Sequence, residues 1–389
     1  MSTAPLLERV RPAVRDLPAY NAGLSAEYVR RTYGVAHVAK LGSNENPLGA
    51  SPAVATALGQ IGAELAQYPD PACGALSERL AAELGIHPAR LIFGNGSEDL
   101  IAIAAHTFLA PGDEVVTMTP AFGLHTIYPA AAGARVVTVP LRPDFTIDVE
   151  RLIAAVSPDT RMLILSNPSN PVGSALCRQD MQRLLAALSP ATLVLWDEAY
   201  YEYAATDADY PDGLQLLGAT SLPWLLLRTF SKAYGLAGLR IGYGVAADSA
   251  MLELMHRMRT PFNVNRLAQS AALAALDDRA HLRASVRHAT DERERIGEAL
   301  RERGYRVAPS RANFVFFDTG EHALSLARRL LERGVIVKPW LEPGYQRCMR
   351  VSVGSRADND LFLAALHACA SIGPAQHPID RSCESLSKP

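Results

Sequence analysis

The sequence has no closely spaced cysteine pair, no short metal-ligand motif, no excess of one charge and no long apolar run, and each absence removes a class of function. Its five cysteines, Cys73, Cys177, Cys348, Cys369 and Cys383, are scattered without a C-x-x-C pair. That spacing argues against a disulfide framework and against a structural zinc site. The ten histidines form no H-E-x-x-H or similar short spacing, so no metal is expected. With 38 basic and 40 acidic residues the formal net charge is −2, and no polybasic arm is present. Nucleic acid and anionic membrane are therefore not expected partners, and any anion must be bound locally. No stretch reaches the roughly 18 apolar residues of a membrane span, and the charged N-terminal segment has no signal-peptide core. The expectation is a soluble, cytoplasmic protein.

What is present is enough apolar sequence for a large core and a second smaller one: 389 residues, 49% hydrophobic. From about residue 90 to 245, short apolar runs alternate with helical stretches. The runs lie at residues 90–93, 113–118, 135–139, 161–165, 192–196, 224–227 and 240–245. This alternation predicts an α/β domain with a mostly parallel seven-stranded sheet covered on both faces. Beyond residue 265 the composition turns rich in Ala, Leu, Arg and Glu, which predicts long helices up to about residue 303. Strand-like runs at 313–317, 334–337 and 349–353 and helices at 323–333 and 358–369 then predict a small α+β domain. The expected organisation is an N-terminal arm and helix (1–40) packing with the small domain, a large domain (41–265), the small domain (266–373) and a disordered polar tail (374–389).

The most informative residue is Lys232, in Thr229-Phe230-Ser231-Lys232, with Arg240 eight positions later at the end of a glycine-bearing stretch. That pattern suggests a Schiff-base lysine beside a phosphate clamp. Such an amine needs a lowered pKa and an electron sink, which pyridoxal phosphate supplies once a carboxylate keeps its ring nitrogen protonated. Asp197, ending the apolar run 193–196, is the candidate carboxylate. Both residues are expected at strand ends along one sheet edge, where ligands of open α/β sheets collect.

Other candidates have ordinary alternatives. Gly94-Asn95-Gly96-Ser97-Glu98-Asp99 precedes an apolar helix, so the N–H groups of Gly96, Ser97 and Glu98 suit a phosphate, although such a turn is also a plain loop and N-cap. Asn170, in the Ser166–Gly173 segment that follows the apolar run 161–165, suits the cofactor's ring oxygen or simply a rigid turn. Tyr200 suits the same oxygen or a packed core position. Phe122 suits stacking on a pyridine ring or the core.

Together these motifs make the chain resemble the fold-type I pyridoxal-phosphate aminotransferases of class I/II over nearly its whole length. The resemblance implies a large mostly parallel seven-stranded domain with a small α+β domain, Lys232 as the Schiff-base and proton-transfer lysine, Asp197 on the pyridine nitrogen, and Asn170 with Tyr200 on the ring hydroxyl. It places Ser231, Arg240 and the Gly96–Glu98 donors on the phosphate and Phe122 on the ring. Residues 41–49, Tyr68-Pro69-Asp70 and 94–99 look most like the histidinol-phosphate aminotransferase family. There, the match implies that Tyr68 reaches the cofactor phosphate of a neighbouring subunit, giving a homodimer with shared sites. Tyr20 matches an arm tyrosine that closes over substrate.

Arg350 matches the arginine that receives a carboxylate, for which a planar fork is suited; its alternative is a surface arginine on an edge strand. Where the family commonly carries a second arginine for the distal anion, this chain has Lys338. A lysine keeps the point charge and loses bidentate geometry. The expected reaction is ping-pong transamination of L-histidinol phosphate with 2-oxoglutarate, giving imidazole-acetol phosphate and L-glutamate. An aromatic amino-acid aminotransferase is the nearest alternative; a decarboxylase or a non-catalytic ligand sensor on this scaffold are further ones.

Overall fold

Continuous apolar runs have no polar face to turn to solvent, so they persist as strands only where both sides are covered. The computed structural model describes residues 8–18 and 20–370; the expected disordered tail lies outside them. The strands are β1 (Ala39–Lys40), β2 (Leu91–Gly94), β3 (Glu114–Thr119), β4 (Arg135–Pro140), β5 (Thr160–Ser166), β6 (Leu193–Asp197), β7 (Trp224–Thr229) and β8 (Gly242–Ala246). They are followed by β9 (Arg306–Val307), β10 (Phe314–Asp318), β11 (Val335–Ile336), β12 (Lys338–Pro339) and β13 (Cys348–Ser352).

All seven expected runs join one sheet, in the order β2-β8-β7-β6-β5-β3-β4. β8 is antiparallel to both neighbours, and the other pairings are parallel. Every residue of β6, β7 and β8 is buried. Trp196 and Trp224 anchor one of the apolar clusters against the sheet. This topology brings the C-terminal ends of β2, β3, β5, β6 and β7, and the start of β8, to the same edge.

The smaller sheet is antiparallel, in the order β12-β13-β10-β9. Val335–Ile336 does not join it. β11 instead pairs in parallel with β1, while the next strand, β12, turns into the smaller sheet. The expected helical segment resolves into helices Arg266–Asp277 and Arg279–Glu302. The Asp278 carboxylate caps the second by accepting from the His281 N–H at 3.0 Å. The first helix buries Ala268, Ala272 and Leu276 in the same cluster as Val54 and Leu76, beside the large sheet. The second brings Val286 and Ala289 against Tyr200 and Phe314, so one apolar cluster joins the two sheets. Val29, in helix Ala26–Tyr33, packs with Leu331 and Ile336. Among the described residues no helix is long and apolar enough to cross a membrane.

Candidate active site

The edge where the parallel strands end carries the predicted residues. Lys232 follows β7, Asp197 ends β6, Asn170 follows β5 and Phe122 follows β3. A cavity of about 480 Å³ is lined by Lys232, Tyr200, Asn170, Phe122, Tyr20 and, from the smaller sheet, Lys338 and Arg350. The Lys232 amine lies 5.8 Å from the Tyr200 ring centre and donates to the Ser43 carbonyl at 3.4 Å. Burial lowers its pKa to about 8, with Arg350 adding to the effect and Glu45 opposing it. A substantial share of the amine is therefore neutral near pH 8.

Asp197 is buried and held from two sides. The Ala199 N–H donates to one carboxylate oxygen at 3.0 Å, and His125 Nε2 lies 3.0 Å from the other. His125 escaped the sequence reading, because a single histidine after a strand carries no local signal. Phe122 presents its ring to both neighbours edge-on, with centroids 6.0 Å from Tyr20 and 5.5 Å from His125.

Tyr200 is buried, and burial pushes its phenol up to about 12, against the pull of Arg350. Its oxygen accepts from Asn44 Nδ2 at 2.8 Å, which leaves the O–H to donate. Asn44 is the second residue missed. It sits 1% exposed at φ 57°, a left-handed conformation that asparagine tolerates better than most residues. Its Oδ1 accepts from Ser352 and its carbonyl accepts from Asn313, so it ties the segment after β1 to the smaller sheet.

Arg350 is buried on β13, between β12 and β10, rather than exposed on an edge. It donates to Asn170 Oδ1 at 2.6 Å and to the Gly42 carbonyl at 2.7 Å. Lys338 is its cross-strand partner, and paired positions share a face of the sheet. Lys338 donates to the Asn21 carbonyl of the arm at 2.8 Å. Burial lowers its pKa to about 8, and the Arg350 charge adds to that.

The predicted anion turn lies at the same edge. Helix Ser97–Phe108 starts after Gly96, whose φ is 85°. A Cβ on Gly96 would collide with the Arg240 guanidinium, and one on Gly242 would meet the Ser97 backbone nitrogen. The Gly96 N–H donates to Gly94 O at 2.7 Å. The first-turn N–H groups of Ser97 and Glu98 have no intrahelical acceptor and sit at the positive helix end. The Glu98 carboxylate accepts from Tyr128 at 3.0 Å and lies 3.6 Å from Arg240. The Thr229 hydroxyl donates to the Ser231 hydroxyl at 3.0 Å and accepts from the Ser231 N–H at 3.1 Å. Tyr68 stands apart. It is 77% exposed and stacks on Phe262 at 4.5 Å.

Residues 36–366 match the model of the family "Aminotransferase class I and II". The chain belongs to that family. It is 50% identical over 364 residues to histidinol-phosphate aminotransferase 3 of Rhizobium meliloti, covering 94% of this chain and 98% of the relative. It is 49% identical over 360 residues to histidinol-phosphate aminotransferase 1 of Mesorhizobium japonicum, covering 92% and 98%. Among solved structures, the histidinol-phosphate aminotransferase of Sinorhizobium meliloti in complex with pyridoxal-5'-phosphate superposes with a TM-score of 0.83 at 33% identity, covering 93% of this chain and 98% of that one. The aminotransferase fold and its pyridoxal phosphate cofactor fit the residues described: a buried amine of lowered pKa, a fixed carboxylate on the next strand and a glycine turn that admits no side chain.

Proposed function

We propose that this aminotransferase moves the amino group of L-histidinol phosphate to 2-oxoglutarate, as a cytoplasmic homodimer. The reading is carried by the cross-strand pair Lys338 and Arg350, which line the same cavity as Lys232. Two cations beside the reactive amine suit a donor with a distal phosphate and an acceptor with two carboxylates. The names of the relatives above support the same choice.

Pyridoxal phosphate, when bound, supplies an aldehyde carbon for amine exchange and a ring that accepts the electrons of a broken Cα–H bond. Lys232 is the amine to hold it and the base that takes the substrate's Cα proton. Asp197, fixed by Ala199 and His125, holds a proton on the ring nitrogen. Tyr200 and Asn170 serve the ring oxygen, and Phe122 flanks the ring. The Ser97 and Glu98 backbone N–H groups, with Ser231 and Arg240, serve the phosphate; the Gly96 N–H, expected to join them, is engaged by the Gly94 carbonyl. Arg350 and Lys338 receive the substrate's anions, and Tyr20 shields the cavity from water.

The exposed Tyr68 and Phe262 pair supports a second subunit seated there, with Tyr68 reaching the partner's cofactor phosphate. A second reading, transamination of aromatic amino acids, is favoured by Tyr20, Phe122 and Trp340 in the cavity lining.

Single-turnover spectra of the cofactor-loaded protein with L-histidinol phosphate, L-glutamate and L-phenylalanine separate the two, with Lys232→Ala as blank. Fast conversion by the first two and slow conversion by the third supports the proposal. The reverse order moves the substrate to aromatic amino acids.

A further inference from the structure

Lys232, Lys338 and Arg350 give the cavity three basic groups, and Glu342 gives it one carboxylate among the described residues that line it. A carboxylate in an anion-binding cavity weakens binding of a purely anionic ligand, unless a basic side chain neutralises it or the ligand brings a donor of its own. Glu342 forms no ion pair with the three cations. Its position is fixed from the opposite sheet, since the Thr119 hydroxyl at the end of β3 donates to Glu342 Oε2 at 2.9 Å. The Thr119 carbonyl in turn accepts from the Tyr345 hydroxyl at 3.0 Å, which ties down the loop that carries Glu342. Tyr20, Phe122 and Trp340 line the same cavity, so a flat ring finds apolar surface next to a fixed acceptor. Burial pushes the Glu342 pKa up, against hydrogen bonding from Thr119 and from the Trp340 side chain; an arriving N–H donor adds to those and offsets more of what burial removes.

Extending the aminotransferase reading above, we propose that Glu342 is a specificity-determining residue that accepts a hydrogen bond from a ring N–H of the amine donor, selecting nitrogen heterocycles such as imidazole over phenyl rings. A site that hydrogen-bonds a substrate N–H discriminates strongly against the analogue lacking it, because the buried acceptor is left unpaired.

L-Histidine and L-phenylalanine share one amino-acid frame, carry no phosphate and differ in the ring. The test is the ratio of their kcat/KM values in half-transamination by the holoenzyme, with Kd values from the cofactor absorbance as a second reading for a donor that binds without reacting. Glu342→Gln keeps the volume and an acceptor for Thr119, and Glu342→Leu removes the acceptor. The histidine-to-phenylalanine ratio is expected to fall by about ten-fold or more in Glu342→Leu, and by less in Glu342→Gln. Loss of both donors in parallel, with the ratio within two-fold of the parent in folded variants, would mean that Glu342 only clasps the two sheets, and overturns the proposal. Should Glu342→Leu fail to fold, the ratio in Glu342→Gln decides. Poor turnover of L-histidinol phosphate by the parent defeats the proposed substrate and leaves this ratio readable.

Discussion

His125 Nε2 lies 3.0 Å from Asp197 Oδ2, with the two side chains 1% and 6% exposed. The histidine thus positions the carboxylate that is to face the cofactor ring, although 72 residues separate them in sequence. Removing a hydrogen bond from a buried charged group costs about 1.5–3 kcal/mol. His125→Phe should therefore lower kcat/KM by roughly ten- to a hundred-fold and shift the pH titration of the bound cofactor's absorbance. A change in thermal stability alone, with kcat/KM and the titration unmoved, would reduce His125 to packing.

Lys232 makes the cofactor-free protein's stability depend on pH. Its folded pKa, about 8, is below the ordinary 10.5, so between these values the unfolded chain binds more protons and stability rises with pH. The burial penalty is fully present below pH 8 and relieved towards pH 10.5. Lys232→Met should stabilise the cofactor-free protein at pH 7 by up to about 3 kcal/mol, at 1.36 kcal/mol per unit. Urea unfolding should show that gain shrinking as pH approaches 10.5.

Lys338 should make distal-anion binding pH-dependent. Its ammonium loses its proton as pH rises through about 8, so KM for L-histidinol phosphate should climb from pH 7.5 to pH 9.5. Lys338→Arg, whose guanidinium stays charged, should flatten that climb. An identical rise in both proteins would place the titration elsewhere.

Gly96→Ala combines a positive φ of 85° with a Cβ aimed at the Arg240 guanidinium. The backbone strain costs roughly 1–3 kcal/mol, and Arg240 must leave its place. Cofactor affinity, measured by equilibrium dialysis, should fall at least ten-fold. Gly238→Ala, where nothing lies within 4 Å of an added Cβ, serves as the matched control.

Much of the scaffold is written locally. Six of the seven large-sheet strands are short runs buried along nearly their whole length, so apolar continuity marks them, whereas β4 at the sheet edge buries only Val139. Lys232, Asp197 and Asn170 were legible because each ends such a run or lies in the short loop that follows it, and a parallel sheet sends those ends to one edge. The smaller sheet was less legible: the run at 334–337 looks like one strand, yet β11 pairs with β1 while β12 joins β13. Two-residue strands carry too little periodicity to announce either partner.

The sequence by itself determined the α/β class, the order of the apolar runs and the chemistry-bearing residues at their ends, because these follow from nearest-neighbour patterns of burial and turn formation. Only the tertiary structure decided that His125 meets Asp197, that Asn44 meets Tyr200, that Lys338 faces the cavity beside Arg350 and that Glu342 is fixed by Thr119. Each of these pairings depends on strand order, register and the way the two sheets close on one another. Those are set by the whole core at once, and no stretch of local sequence contains them.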